Sequence, residues 1–162
     1  MARDSTSETV LNPGMLRASG ALLSAQIAVS RLIELEAVAP IGQDSTVVDL
    51  LVRLDQAPNS RLRAVELSRQ LLMSPSHVSR MLDRAETAGL IAREPDPTDR
   101  RASLVVMTTD GRSVLREFAP RLEAIIERVV NQTLNAGEID DLVGALNRIT
   151  AAACEPCPVE PV

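Results

Sequence analysis

The chain has 162 residues, 45% of them hydrophobic and 24% charged, a globular composition with enough length for a real core. A single aromatic residue, Phe118, argues against base-stacking recognition of single strands, and a single histidine, His77, excludes a multi-histidine zinc site. The net charge is −5, yet residues 61–112 hold nine arginines against seven acids, and no lysine occurs anywhere. A locally basic segment can steer nucleic acid onto an acidic protein, and arginine suits two-point contacts to phosphate and guanine. Arginine-only usage also follows from genome base composition alone.

Residues 1–14 lack periodicity and read as a flexible N-terminal arm. The start has no charged segment followed by an apolar one, and no apolar run approaches ~18–20 residues. The expectation is a cytoplasmic protein with no membrane partner. A helix is predicted over 15–38 with two apolar stripes, one through Leu16, Leu23 and Ile27, the other through Leu22, Val29 and Leu32. Two stripes predict burial on two sides, against the helix's own domain and against a partner subunit. Pro40 and Gly42 end it. A short helix over 46–54 turns Val47, Leu50, Leu51 and Leu54 inward, so 15–57 reads as N-terminal helices for dimerisation and packing.

The segment 58–108 carries the recognisable pattern. Residues 64–72 form a short helix, Leu72-Met73 a tight connection, and Ser74-Pro75 a strong helix start. The helix over 75–88, closed by Gly89, points Val78, Met81, Leu82 and Ala85 inward and Ser76, Arg80, Arg84 and Thr87 outward. Strands over 90–94 and 103–108 flank a polar turn at 95–102 (PDPTDRRA), giving a two-stranded wing. Thr108 caps a long helix over 109–134, with Val114, Phe118, Leu122, Ile125 and Val129 on its apolar side and a bend expected at Pro120. At roughly 35–40 Å it exceeds what a small core needs, which implies a second subunit. Asn135 and Glu138 form a capping-box start for a last helix, 136–153, with Ile139, Leu142, Leu146 and Ile149 inward. The helices over 109–153 complete the dimerisation region, and 154–162 is a flexible tail.

Helix, tight turn, helix and hairpin make a winged helix-turn-helix within a mainly α fold. Its second helix can lie in a major groove. Arg80 and Arg84 can each reach a phosphate oxygen or a base edge. Ser74 and Ser76 combine hydroxyls with free N–H groups at a helix start, which suits backbone phosphate. Arg100 and Arg101 at the hairpin tip suit a narrow, electronegative minor groove. Asp83 and Asp99 would repel DNA and are expected to brace arginines. His77 either faces DNA or is simply exposed, and an ordinary amphipathic surface helix is the bland alternative for 75–88.

Residues 62–112, LRAVELSRQLLMSPSHVSRMLDRAETAGLIAREPDPTDRRASLVVMTTDGR, closely resemble the winged-helix core of the MarR family of bacterial transcription regulators. The SPSHVSRMLDRAETAGLI helix, the DPTDRR wing and the MTTDGR start of the next helix carry the match, and the flanking helices extend it over 15–150. The resemblance implies an obligate homodimer with interlocked first and last helices, two winged helices reading a pseudo-palindromic operator in double-stranded DNA. By position it implies that Ser74, Ser76, His77, Ser79, Arg80 and Arg84 face DNA. Asp99 and Arg101 match a D-x-R wing motif in which the arginine enters the minor groove and the acid braces the wing. Two residues depart from the pattern: Leu72 stands at a usual turn glycine, and Arg63 at a usual capping Ser or Thr.

Cys154 and Cys157 form a C-x-x-C pair, a candidate redox couple or simply two reduced cysteines; a zinc site would need two more ligands. Relatives respond to small phenolic or lipophilic acids, so a small-molecule effector is a further expected partner. Arg17, Arg31, Arg53 and Arg112 are candidates for pairing its carboxylate. No nucleophile–base pair, metal cluster or phosphate loop is present, so neither catalysis, a metal nor a cofactor is expected. The favoured reading is a dimeric, sequence-specific DNA-binding repressor. The alternatives are a winged helix used for protein–protein contact, and a redox-responsive regulator using Cys154 and Cys157.

Overall fold

Asn12 accepts the Gly14 amide at 2.8 Å and so opens α1 (Pro13–Ile33), with Pro13 pre-set at the first helical position. The helix therefore begins inside the stretch expected to be an arm, because capping, not apolar periodicity, sets its start. The computed structural model describes residues 12–99 and 102–153. Past Ile33 the helix widens into a π-helical turn (Glu34–Val38) and tightens into a 3-10 turn (Ala39–Ile41), stopped at Gly42, whose φ is +65°. No residue of α1 is buried within the chain, and Met15, Leu23 and Ile27 are each more than half exposed. The stripe expected to pack on its own domain does so only at the end of α1, where Leu32 and Ile33 are partly buried, and beyond it at Ala37 and Val38.

The centre of the molecule is α2 (Ser45–Gln56), capped by Asp44, with Val47, Val48, Leu50, Leu51 and Leu54 all buried. It serves two cores. Leu50, Leu51 and Leu54 join Leu67, Val78, Met81, Leu82, Ile91 and Val105 beneath the winged helix. Val48 joins Ala37, Val38, Phe118 and Ile125 on the other side. Each such side chain contributes about 1.5–3 kcal/mol of burial, so α2 couples the winged helix to the long C-terminal helix.

The winged helix comprises β1 (Arg61–Arg63), α3 (Ala64–Gln70), α4 (Pro75–Thr87), β2 (Ile91–Pro95) and β3 (Ser103–Met107). The sheet has three antiparallel strands in the order β1-β3-β2, with Arg63 and Glu94 both opposite Leu104. The expected hairpin is thus the outer part of a sheet; β1 is too short to show alternation in sequence. Thr108 caps α5 (Thr109–Ile126), which continues through Pro120 as one helix and changes only at a π-helical turn, Glu127–Asn131. Gly111 is required by contact: a Cβ there would lie 2.3 Å from the Leu90 carbonyl oxygen.

The last helix, α6 (Ala136–Ala153), has the predicted bounds, and Asn135 and Glu138 cap each other's amides at 3.1 and 2.9 Å. Its apolar stripe, however, does not point into a core. None of its residues is buried, and Leu142, Val143, Leu146 and Ile149 are exposed, because no element among the described residues covers that face. Among the described residues no helix is long and apolar enough to cross a membrane.

Candidate nucleic-acid interface

The start of α4 is built by Ser74, whose hydroxyl accepts the His77 amide at 3.4 Å and lies 3.2 Å from the Ser76 hydroxyl. Pro75 follows at the first helical position. The helix divides as its spacing predicts, with Val78, Met81, Leu82 and Ala85 buried and Ser76, His77, Ser79, Arg80, Arg84 and Thr87 exposed. The turn before it forms without the usual glycine. Leu72 adopts the left-handed conformation at φ +54°, while the Met73 amide donates to Ser68 O at 3.1 Å and the Ser68 hydroxyl to Met73 O at 2.6 Å. A non-glycine residue there carries backbone strain, and these hydrogen bonds hold it in place.

The outward arginines differ in what they already hold. Among the described residues, Arg80 makes no hydrogen bond or ion pair, so its guanidinium is uncommitted. Arg69, in the last turn of α3, is likewise exposed and uncommitted, a candidate that its sequence position did not reveal. Arg84 lies 3.6 Å from Asp44, the cap of α2. The hydroxyl and amide of Thr46, with Arg84, hold the Asp44 carboxyl below its ordinary range. Asp83 braces an arginine as expected: its carboxylate accepts from Arg93 at 2.6 Å, and Glu86 stands 3.6 Å from the same guanidinium. Arg93 thereby ties β2 to α4, and Arg61 on β1 pairs with Glu94 on β2 at 3.2 Å, across β3.

At the wing's root the main brace is Asp96. Its carboxylate is buried and accepts from Arg63 Nε at 2.6 Å, from the Thr98 amide at 2.8 Å and from the Thr98 hydroxyl at 2.7 Å. The Arg63 guanidinium first, then the two Thr98 donors, hold the Asp96 carboxyl well below the usual carboxylate range. Asp99, the acid expected to brace the wing, is exposed and adds to the negative field on Arg63. The Ala102 amide donates to Asp99 O at 3.0 Å, and the Asp96 amide to Ala102 O at 3.2 Å, closing the turn. Arg100 and Arg101, like Cys154 and Cys157, lie outside the described residues. Asp96 could have been singled out as the first acid of DPTD, but its partner is the arginine that departs from the capping pattern, 33 positions earlier.

The arginines suggested for an effector are spread over three helices: Arg17 and Arg31 are exposed on α1, Arg112 is exposed on α5, and Arg53 on α2 lies 3.6 Å from Asp49. Among the described residues, no group of three or more His, Cys, Asp or Glu is placed to hold a metal ion.

The model of the MarR family matches residues 45–103, from α2 through the wing turn to the first residue of β3. Over this segment the chain is similar to the MarR family. It is 33% identical over 85 residues to the multiple antibiotic resistance protein MarR of Salmonella typhimurium, a match covering 52% of this chain and 59% of that protein. The chain thus spans somewhat over half the length of the curated MarR it matches. Solved MarR structures extend the likeness over the flanking helices. AbsC, a MarR family transcriptional regulator from Streptomyces coelicolor, superposes with a TM-score of 0.82 at 26% identity, covering 90% of this chain and 97% of AbsC. A second MarR family regulator from Streptomyces coelicolor, solved in complex with DNA, gives a TM-score of 0.77 at 26% identity, covering 93% of this chain and 94% of that one.

Proposed function

We propose that this chain is a MarR-family homodimeric transcription regulator that binds a pseudo-palindromic site in double-stranded DNA and acts as a repressor. In this reading α4 enters the major groove and the wing turn, 95–102, the minor groove. Arg80 carries it: an exposed, uncommitted arginine one helical turn beyond the two serine hydroxyls at the start of α4. A protein-docking face would favour apolar anchors over such a group. The apolar faces left uncovered on α1 and α6 support pairing of two chains about a two-fold axis, which sets two recognition helices against one palindrome. Repression follows if the dimer occupies its operator to the exclusion of other proteins, and a small-molecule effector would relieve it.

Retention of random genomic fragments, followed by sequencing, tests the reading. The expected result is one enriched palindrome, bound by a species of about twice the chain mass, with higher transcription from a reporter when the protein is absent. Arg101→Ala should weaken that binding and flatten the salt dependence by about one unit of slope, with the fold intact. A clean monomer at micromolar concentration, or fragments retained without a common sequence, would remove the reading.

A further inference from the structure

Arg63 is at once the last residue of β1, the residue before α3 and the only basic group in contact with Asp96 among the described residues. Residues that precede a helix ordinarily accept one of its free amides, and a guanidinium has no atom that can accept. The start of α3 is served instead by Glu66, which accepts the Arg63 amide at 2.8 Å. The arginine side chain therefore caps no amide of the helix it precedes. Its bonds run to the wing, with Nε to Asp96 at 2.6 Å and Nη2 to the Thr98 hydroxyl at 2.9 Å.

We propose that Arg63 is the positioning residue of the wing, fixing the turn that leaves β2 relative to the helix-turn-helix. The proposal rests on the DNA-binding reading and adds to it the element that sets one contact surface against the other. The sheet order places β1 and β2 on opposite edges of β3, so no backbone hydrogen bond joins them directly. Two strand spacings, about 10 Å, separate those edges. Arginine with an aspartate closes such a span, and serine or threonine cannot. Asp96 is committed to this contact: its side chain is only 3% exposed, one oxygen is held by Arg63 and the other by Thr98. A buried carboxylate stripped of its cation is strongly disfavoured, so the turn must rearrange when Arg63 is removed. Arg93 makes a further tie, from β2 to Asp83 and Glu86 of α4.

Arg63→Ser in the full chain is the direct test, since serine supplies an ordinary helix cap and spares α3. Amide hydrogen exchange is followed at Thr98 and Ala102 in the free protein, and hydroxyl-radical footprinting on the enriched palindrome. The expected variant folds and dimerises, exchanges at those amides about tenfold faster, and binds about tenfold more weakly. Its footprint loses protection at the outer minor grooves and keeps it in the central major grooves, and Arg63→Lys restores part of both. Thr98→Ala, which removes the second partner of Arg63 and one hydroxyl donor to Asp96 but leaves the Arg63–Asp96 pair, moves both readouts less and in the same direction, and serves if Arg63→Ser does not fold. Unchanged exchange overturns the proposal, and so does faster exchange with an unchanged outer footprint. Wild-type protein that protects no DNA overturns the functional reading instead, while exchange in the free protein still decides whether Arg63 holds the wing.

Discussion

The Thr108 hydroxyl donates to the Gly89 carbonyl at 2.7 Å and accepts the Gly111 amide at 3.1 Å. One side chain thus caps α5 and fastens it to the glycine that closes α4. The Thr108 amide completes the seam by donating to Leu90 O at 3.1 Å, the same carbonyl oxygen that a Cβ on Gly111 would strike. The motif MTTDGR is therefore a joint between α4 and α5, with Thr108 and Gly111 each held by a defined contact.

Thr108→Val, which keeps the shape and removes the hydroxyl, should cost about 1–2 kcal/mol through the lost cap and the unpaired Gly89 carbonyl. Thr108→Ser should cost less, because serine can make both bonds. Urea denaturation checks the pair; equal stability of wild type and Thr108→Val would show that the joint contributes nothing.

Leu72 gives the opposite sign. Its left-handed backbone costs about 1 kcal/mol for a residue with a Cβ, and its side chain, 59% exposed, has little packing to lose. Leu72→Gly should relieve that strain and return part of it as unfolded-chain entropy, for a net gain of about 0.5 kcal/mol. The urea midpoint should rise with an unchanged m-value. Leu72→Ala retains the strained geometry and should show no such gain.

These cases show what the sequence made legible and why. The inward stripe of α4, the caps at Ser74, Thr108 and Asn135, and the bounds of α6 follow from spacing and capping chemistry, which act within a few residues. The third strand, the exposed face of α6 and the Arg63–Asp96 pair depend on distant neighbours. Three residues of strand carry no period. A stripe such as Leu142, Leu146 and Ile149 reads identically whether a core covers it or, as among the described residues, nothing does. Arg63 reads as a defect in a helix cap until the sheet brings Asp96 to it.

Acid should loosen the wing first. Asp96, held low by Arg63 and Thr98 when folded, returns to the ordinary aspartate value of 3.8 when the chain unfolds. A carboxyl whose folded pKa is depressed stabilises the fold fully above its unfolded pKa, and that stabilisation is lost as pH falls through the folded value. The loss should begin near about pH 4 and continue below it. Asp96→Asn should be less stable at neutral pH and should lose less stability on acidification. Melting temperatures across this range test it; parallel curves for the two proteins would show that Asp96 is not the group responsible. Asp44, shifted in the same direction, should leave a smaller residual slope in the variant.

Arg80 and Arg84 should prove unequal on DNA, and Asp44 is the reason. Replacing the uncommitted Arg80 with Ala should cost on the order of 1–3 kcal/mol of operator affinity. Arg84→Ala should cost less, because Arg84 must share its charge with Asp44, 3.6 Å away, in an exposed pair worth about 0–1 kcal/mol. Asp44→Ser isolates that effect, since serine still caps α2 while the carboxylate is gone. It should tighten operator binding about two- to threefold and steepen its salt dependence, as Arg84 is released toward phosphate. The same substitution made on Arg84→Ala should give a smaller gain. An equal gain in both backgrounds would mean that Asp44 repels DNA through its own field and leaves Arg84 alone. No gain in either would mean that this end of α4 does not approach the phosphate backbone, and that the contact surface is confined to Arg80 and the helix start.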